Sequence, residues 1–349
     1  MAANRKQKLG AALAIGLALA LFGSGYLLAQ GQSSRKGWKQ GRGYGWVWGK
    51  RDQVGALNTL GRKDVLNATR LIKRGKVYPL GITYDRTSYK WPGHSPAEIM
   101  TFRSPEGVKR QKDNPFTQGP GDSSRTAWHS CALFISDNVA TQIDGLGHAV
   151  TGKDNHWYNG FREQDWGGDW GVRKCGAETI PPVVARGVLV DVAGFLKVPN
   201  LAPHTIITPK MIRDTLAWEK TDIRPGDVVL IRTGSLRHWG ATGANHETLS
   251  ETDTAGINVE SAKYLVGEKG AVIVGSDTSG VEVNPVAKGS TSFMPVHNYL
   301  LIEQGVHIAE FHYLEDLAKD KAYEFCYVVN VNPIKGTTAG FCLQPLALR

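Results

Sequence analysis

Apolar positions along the chain change period repeatedly, and each change marks a predicted element. Over residues 63–74, Val65, Leu66, Thr69 and Ile72 recur at helical spacing, and Gly75 stands where a C-terminal cap belongs. Over 77–85 the period falls to two: Tyr78, Leu80, Ile82 and Tyr84 share one face, as in a half-buried strand. Residues 90–125 hold no steady period and are rich in Pro, Gly and Ser, which reads as a lid, a binding loop or an insertion. Within that stretch Trp91, His94, Phe102 and Phe116 either line a pocket or pack on the surface. Residues 127–135 read as a strand, and 186–192 as a strand buried on both faces. Thr208 and Pro209 supply a capping hydroxyl and a first-turn proline; the helix they open carries Ile212, Leu216 and Glu219. A turn over 224–227 leads into a strand at 228–232. Helices over 258–269 and 296–303 end near Gly270 and Gly305, and strands are expected at 271–275, 306–311 and 323–331. Strands alternating with helices, several of them apolar on both faces, argue an α/β fold with a mixed, largely buried central sheet. No repeat or clear linker interrupts 46–349, so this span is expected to be one domain.

The first 45 residues fall outside this pattern. Arg5, Lys6 and Lys8 precede an apolar run over 9–28 and a small residue, Ala29, so 1–29 reads as a secretory signal. The run is also long enough to stay as an anchor, but Gly10, Gly16, Gly23 and Gly25 make it a weak membrane span, and cleavage is the expectation. A periplasmic location follows, with the membrane a partner only if the segment stays uncleaved. Residues 30–45, rich in Gly, Lys, Arg and Ser, read as a flexible lead-in. Net charge is +9, yet three of those cations sit in the leader and the rest are thinly spread. Without a basic–aromatic patch this is surface solvation, and no nucleic-acid partner is expected. The four cysteines, Cys131, Cys175, Cys326 and Cys342, have no metal-site spacing. An exported location permits disulfides in any of three connectivities, and free buried thiols are equally open.

Chemistry concentrates in Thr141-Gln142-Ile143-Asp144-Gly145-Leu146-Gly147-His148. If the first part is extended, Gln142 and Asp144 face one way and Ile143 packs on the other side. The bend at Gly145-Leu146-Gly147 can swing His148 back to the same space. Oxygen donors with a nearby imidazole suit a divalent metal and a proton-shuttling base. An ordinary buried turn with a hydrogen-bonded Asp and His is the alternative. Residues 154–171 hold His156, Trp157, Tyr158, Phe161, Trp166 and Trp170, which suits an organic substrate or, equally, a hydrophobic plug. Phosphate-loop, Gly-x-Ser-x-Gly and His-Glu-x-x-His patterns do not occur.

The 138–148 stretch resembles the metal-binding motif of the cyclase superfamily that includes bacterial kynurenine formamidases and isatin hydrolases. The family pattern is His-x-x-x-His-x-Asp-x-x-x-His; here the four positions read Asn138, Gln142, Asp144 and His148, so two imidazoles are replaced by amides. The resemblance covers most of 46–349 and implies a cyclase-like catalytic domain with the swivelling β/β/α fold. It also implies that His297, in Pro295-Val296-His297, and Glu310, in His307-Ile308-Ala309-Glu310, complete the metal centre. His307 is three residues before Glu310 and on a strand faces the other side, which makes it structural; His312 shares the face of Glu310 and is a weaker alternative ligand. A Gly-x-Asp segment of the family matches Asp277.

The expected ligands are thus Gln142, Asp144, His297 and Glu310, with Asn138, His156, Trp157 and Asp277 against the substrate. An oxygen-rich shell with one nitrogen favours Mn²⁺ or Zn²⁺. Two carboxylates balance one dication, so one metal ion is expected. The family's chemistry is hydrolysis of an amide, lactam or related acyl bond, arylformamidase-like, in a small organic substrate. The ion lowers the pKa of water from about 15.7 towards about 7, and metal-bound hydroxide attacks. His148 acts as general base, then acid. Homodimers or homotetramers are implied as well. The alternatives are a lactonase or lyase using the same pocket, or a non-catalytic periplasmic binding protein on a degraded cyclase scaffold.

Overall fold

In the computed structural model, which describes residues 37–349 except 92, 95, 112–126, 240–248, 250–253 and 287–289, the helix Pro209–Glu219 follows its expected cap. The Thr208 hydroxyl accepts the Met211 N–H at 3.2 Å, and the helix buries Ile212, Leu216 and Glu219. The sheet strands Val183–Asp191 before it and Val228–Arg232 after it run parallel.

Among the described residues the strands are β1 (Val77–Pro79), β2 (Ala97–Arg103), β3 (Ser130–Ile135), β4 (Gln142–Asp144), β5 (Val183–Asp191), β6 (Ile206–Ile207), β7 (Val228–Arg232), β8 (Gly256–Ile257), β9 (Ile273–Ser276), β10 (His307–Glu310), β11 (Glu324–Val329), β12 (Ala339–Gly340) and β13 (Leu346–Leu348). Nine of them form one mixed sheet in the order β1-β13-β11-β5-β7-β9-β10-β4-β12. The central β5, β7, β9 and β10 are parallel. On one flank β4 and β12 run antiparallel; on the other, β11, β13 and β1 do the same. This is the α/β architecture with a mixed, largely buried sheet that the pattern implied. Every residue of β7 and β9 is buried, as parallel strands covered by helices on both faces require. Each buried Val, Leu or Ile there contributes about 1.5–3 kcal/mol, so the parallel centre anchors the fold.

Two crossover helices differ from an ideal α-helix. Val259–Ala262 passes into a π-helical Lys263–Glu268, and Pro295–His297 into a π-helical Asn298–Glu303. Such wide turns re-aim side chains and recur near functional sites. The expected strand over 77–85 is shorter because only its start joins the ladder. Beyond it the Ile82 N–H turns to the Thr141 hydroxyl at 3.0 Å. The aperiodic stretch 90–125 contains β2 and the helix Pro105–Gln111. Among the described residues strand β2 pairs only with β3, and this ribbon exposes Met100, Phe102, Leu133 and Phe134, so no continuous buried face imposes a period.

The expected signal segment, residues 30–36 of the lead-in, and Phe116 lie outside the described residues. Over 37–45 the expectation of a flexible lead-in is corrected. Tyr44 is only 2 % exposed; its hydroxyl donates to the Gly270 carbonyl at 2.6 Å, and Trp38 Nε1 donates to the Val266 carbonyl at 2.8 Å. Two rings with polar handles anchor a stretch whose average composition resembled a linker. All four cysteines are free. Among the described residues no helix is long and apolar enough to cross a membrane.

Candidate metal centre

Antiparallel strands β4 and β10 pair Gln142 with Glu310 and Ile143 with Ala309. Side chains alternate across each strand, so Gln142, Asp144 and Glu310 share one face while Ile143 and Ala309 enter the core on the other. His297 arrives from the crossover helix between β9 and β10. Glu282 accepts the backbone N–H groups of Val296 and His297, both at 3.2 Å, and so satisfies donors that a helix start leaves free. The same carboxylate contacts His297 Nδ1. With Nδ1 engaged, His297 Nε2 lies 3.5 Å from Glu310 Oε1 and 3.9 Å from Asp144 Oδ2.

One ligand atom each from Asp144, His297 and Glu310 lies within 4.8 Å of the other two. That is close enough for one ion, bound at about 2.0–2.2 Å, to reach all three after small side-chain shifts. Gln142 Nε2 donates to Glu310 Oε2 at 2.8 Å and lies 3.3 Å from Asn138 Oδ1 and 3.4 Å from Asp144 Oδ1. Its Oε1, like Asp144 Oδ2, is buried with no hydrogen-bond partner. Buried polar atoms are normally satisfied, and two orphan oxygens in one cluster are what a cation would satisfy. The donor set fits a single hard or borderline dication.

Electrostatics agree. Burial, reinforced by Glu310 and opposed by His297, pushes the Asp144 carboxyl well above the usual range. Burial works against a charged His297, yet the hydrogen bonds to Glu282 and Glu310 outweigh it and raise the imidazole well above its ordinary value. Three carboxylates around one imidazole leave the cluster short of positive charge. Glu282 was not foreseen: a lone Glu between Val281 and Val283 has no local signature. His148 responds oppositely; burial and then the neighbouring His297, 6.3 Å away between ring centres, push it down to about 4.

A cavity of about 260 Å³ opens over the cluster, lined by His148, Glu282, His297 and Glu310 together with Trp91, His94, Phe293 and Met294. Gly280, at φ +86°, brings backbone into this wall; a Cβ there would stand 3.5 Å from His297 Cε1 and 3.7 Å from Glu310 Oε1. Of the aromatics expected from 90–125, Trp91 and His94 line the cavity, while Phe102 is exposed.

Several expected contacts lie elsewhere. His156 pairs with Asp154 at 2.8 Å and bridges to Thr151 and Arg162, away from the cavity. Trp157 is buried in the main core, where its ring serves packing, so this part of the aromatic stretch is a plug. Asp277 accepts the Thr233 N–H at 2.8 Å, the Thr233 hydroxyl at 2.7 Å and the Gly234 N–H at 2.7 Å. It ties the end of β7 to the loop after β9, and burial pushes it up to about 6. Asn138 sits beside Gln142 and donates to Asp137 Oδ1 at 2.7 Å, behind the cluster rather than on the cavity wall. His312 does not follow Glu310: Phe311 adopts φ +49°, which breaks the alternation and turns His312 onto the Tyr327 hydroxyl at 2.9 Å. His307 faces the Asp144 carbonyl at 2.8 Å and the Val54 carbonyl at 3.3 Å.

Fold and site together define an α/β protein whose sheet edge builds a pocket of two carboxylates and an imidazole suited to one cation. Residues 78–283 match the family described as "Putative cyclase", and the chain belongs to that family. It is similar to a crystal structure described as a novel cyclase, with 27% identity, TM-score 0.74, and 88% of this chain and 99% of that one covered. It also shares its fold with isatin hydrolase A from Labrenzia aggregata bound to benzyl benzoate, at 18% identity and TM-score 0.54, covering 78% of this chain and 93% of that one. An isatin hydrolase bound to the product analogue thioisatinate gives 18% identity and TM-score 0.55, covering 83% and 99%. A comparison with curated proteins finds no match.

Proposed function

We propose that this chain is a metal-dependent hydrolase of a C–N acyl bond, an amide or lactam, in a small organic substrate. The observation that carries the reading is the convergence of Asp144, His297 and Glu310 beside His148 at one cavity. Structural likeness to proteins named isatin hydrolases supports the reaction class. Bound by Asp144, His297 and Glu310, with Gln142 as a further oxygen donor, one Mn²⁺ or Zn²⁺ would polarise a substrate carbonyl and acidify water.

The chain's own residues do the rest. A neutral His148 accepts a proton from the attacking water, whose oxygen bonds to the carbonyl carbon. His148 then returns that proton to nitrogen as the C–N bond breaks, giving a carboxylic acid and an amine. Glu282 orients His297 through Nδ1. Trp91, Phe293 and Met294 offer apolar surface to a ring. At about 260 Å³ the cavity suits a single-ring or fused bicyclic substrate rather than a long chain. The leader over 1–29 supports export to a periplasm, and cell fractionation tests that.

The test is hydrolysis of isatin and formanilide by the purified protein with Mn²⁺ or Zn²⁺. His148→Ala is expected to keep the metal and lose about 10²–10⁴-fold in turnover. Solvent oxygen from labelled water in the product separates hydrolysis from a lyase reaction. A wild-type protein that purifies without metal and gains no thermal stability from either ion would overturn the reading in favour of a binding protein.

A further inference from the structure

His148 is held from behind by two residues that the hydrolytic reading leaves unused. Its Nδ1 lies 3.4 Å from the Thr338 hydroxyl oxygen, which in turn is 3.0 Å from Asp137 Oδ2. That carboxylate oxygen also accepts the backbone N–H groups of Thr338 and, at 3.3 Å, Ala339. The other oxygen accepts Asn138 Nδ2 at 2.7 Å. Asp137 Oδ2 is thus an acceptor on every contact, so the Thr338 hydrogen points to it; one Thr338 lone pair faces Asn138 Nδ2 at 3.5 Å and the other is left towards His148. His148 therefore meets Thr338 with an N–H at Nδ1, and the lone pair of the neutral ring falls on Nε2.

The backbone fixes this arrangement. Thr338 immediately precedes β12, whose Ala339 pairs with Asp144, and the Thr338 carbonyl accepts the Gly145 N–H at 2.8 Å. A Cβ on Gly145 would stand 2.8 Å from that carbonyl oxygen, so glycine is what allows the approach. The turn carrying His148 and the strand end carrying Thr338 are thus locked in register.

We propose that Asp137 and Thr338 are positioning residues that hold His148 in its Nδ1–H tautomer and present Nε2 to the cavity as proton acceptor. The inference rests on reading His148 as the base, but the tautomer is measurable without turnover. Nitrogen-15 NMR of the histidine-labelled full chain, with the His148 signal assigned by its loss in His148→Gln, reports it directly. The Nδ1–H form is expected in the wild type and in Thr338→Ser. Thr338→Val and Asp137→Asn should shift population to Nε2–H. Thr338→Val keeps the backbone N–H bond to Asp137 and is expected to fold, which its melting curve checks. With isatin and Mn²⁺, Thr338→Val should lose about 10–100-fold in kcat at nearly constant KM, and Thr338→Ser should recover it. An Nε2–H ring in the wild type, or tautomer and kcat unmoved in Thr338→Val, would overturn the proposal. If the tautomers behave as expected while the wild type leaves every amide and lactam intact, the relay stands and the hydrolase reading is what falls.

Discussion

Two buried acidic clusters lie in the same sheet and differ in one respect. Around Arg232, at the end of β7, the protein supplies its own cation. Nη1 donates to Asp191 Oδ1 at 2.8 Å, while Nε and Nη2 donate to the two oxygens of Glu315, each at 2.8 Å. That fork-to-carboxylate geometry pairs the guanidinium with both carboxylates, and the cluster is closed. Around Asp144 three carboxylates share a single imidazole, and Asp144 Oδ2 and Gln142 Oε1 have no hydrogen-bond partner. The first arrangement is finished by the chain; the second leaves oxygens that a cation from outside could satisfy. Burial of acids alone marks neither as functional. The unmatched charge does, together with the cavity that reaches it.

The contrast is broken most strongly by removing the internal cation. Arg232→Met strands buried Asp191 and partly buried Glu315 and should cost about 3–5 kcal/mol of stability. Metal affinity should be untouched, since no ligand moves. Urea titration and metal calorimetry on the same variant read both quantities, and a weakened metal site would show the two clusters to be coupled. The converse comes next. Mn²⁺ at a hundred times its Kd should add about 2.7 kcal/mol to the wild type and nothing to Asp144→Asn, measured as a shift in the denaturation midpoint. Equal shifts in both proteins would mean that the ion binds somewhere else.

Glu282 gives a smaller effect within the open cluster. It reaches the imidazole only at Nδ1, so Glu282→Gln leaves the ligand set whole and weakens its orientation. A loss of about 10–100-fold in metal affinity is expected by calorimetry. Unchanged affinity would reduce Glu282 to a helix-start acceptor.

What the sequence disclosed divides between local pattern and contacts made by folding. Local rules carried the Thr208 cap, the apolar run Val228–Ile231 of β7, and the Gln142–Ile143–Asp144 alternation that puts two polar side chains on one face. His297 and Glu310 came from resemblance, and one ligand atom of each lies within 4.8 Å of one on Asp144. Contacts made by folding left no local trace. Glu282 reaches His297 only because the loop after β9 folds back over a helix start. His312 leaves the face of Glu310 because Phe311, a bulky residue, takes a left-handed backbone that sequence gives no reason to expect. His156 and Trp157 misled through composition: a dense aromatic stretch near a polar motif describes a core plug as well as a pocket wall.

Glu219 sharpens the comparison from a third position. Its Oε1 accepts the Asp191 N–H at 2.7 Å, and its Oε2 is buried without a partner, as Asp144 Oδ2 is. Yet among the described residues it belongs to no group of three side chains that could hold an ion, and it does not line the cavity. Burial, opposed by the Asp191 N–H and reinforced by the Asp191 charge, raises its pKa from 4.5 to about 9, which favours a protonated carboxyl at neutral pH. A raised folded-state value makes the stabilising contribution complete below about pH 4.5, and it is lost as pH climbs towards about 9. Glu219→Gln carries no such proton. The wild type should therefore lose stability relative to Glu219→Gln across pH 5–9, by at most about 1.4 kcal/mol per pH unit. Denaturation midpoints of the two proteins at matched pH values test this, and parallel profiles would show that Glu219 is ionised in the fold. In that event an orphan buried oxygen would need no proton or metal to persist, and the charge argument for the Asp144 cluster would rest on its geometry alone.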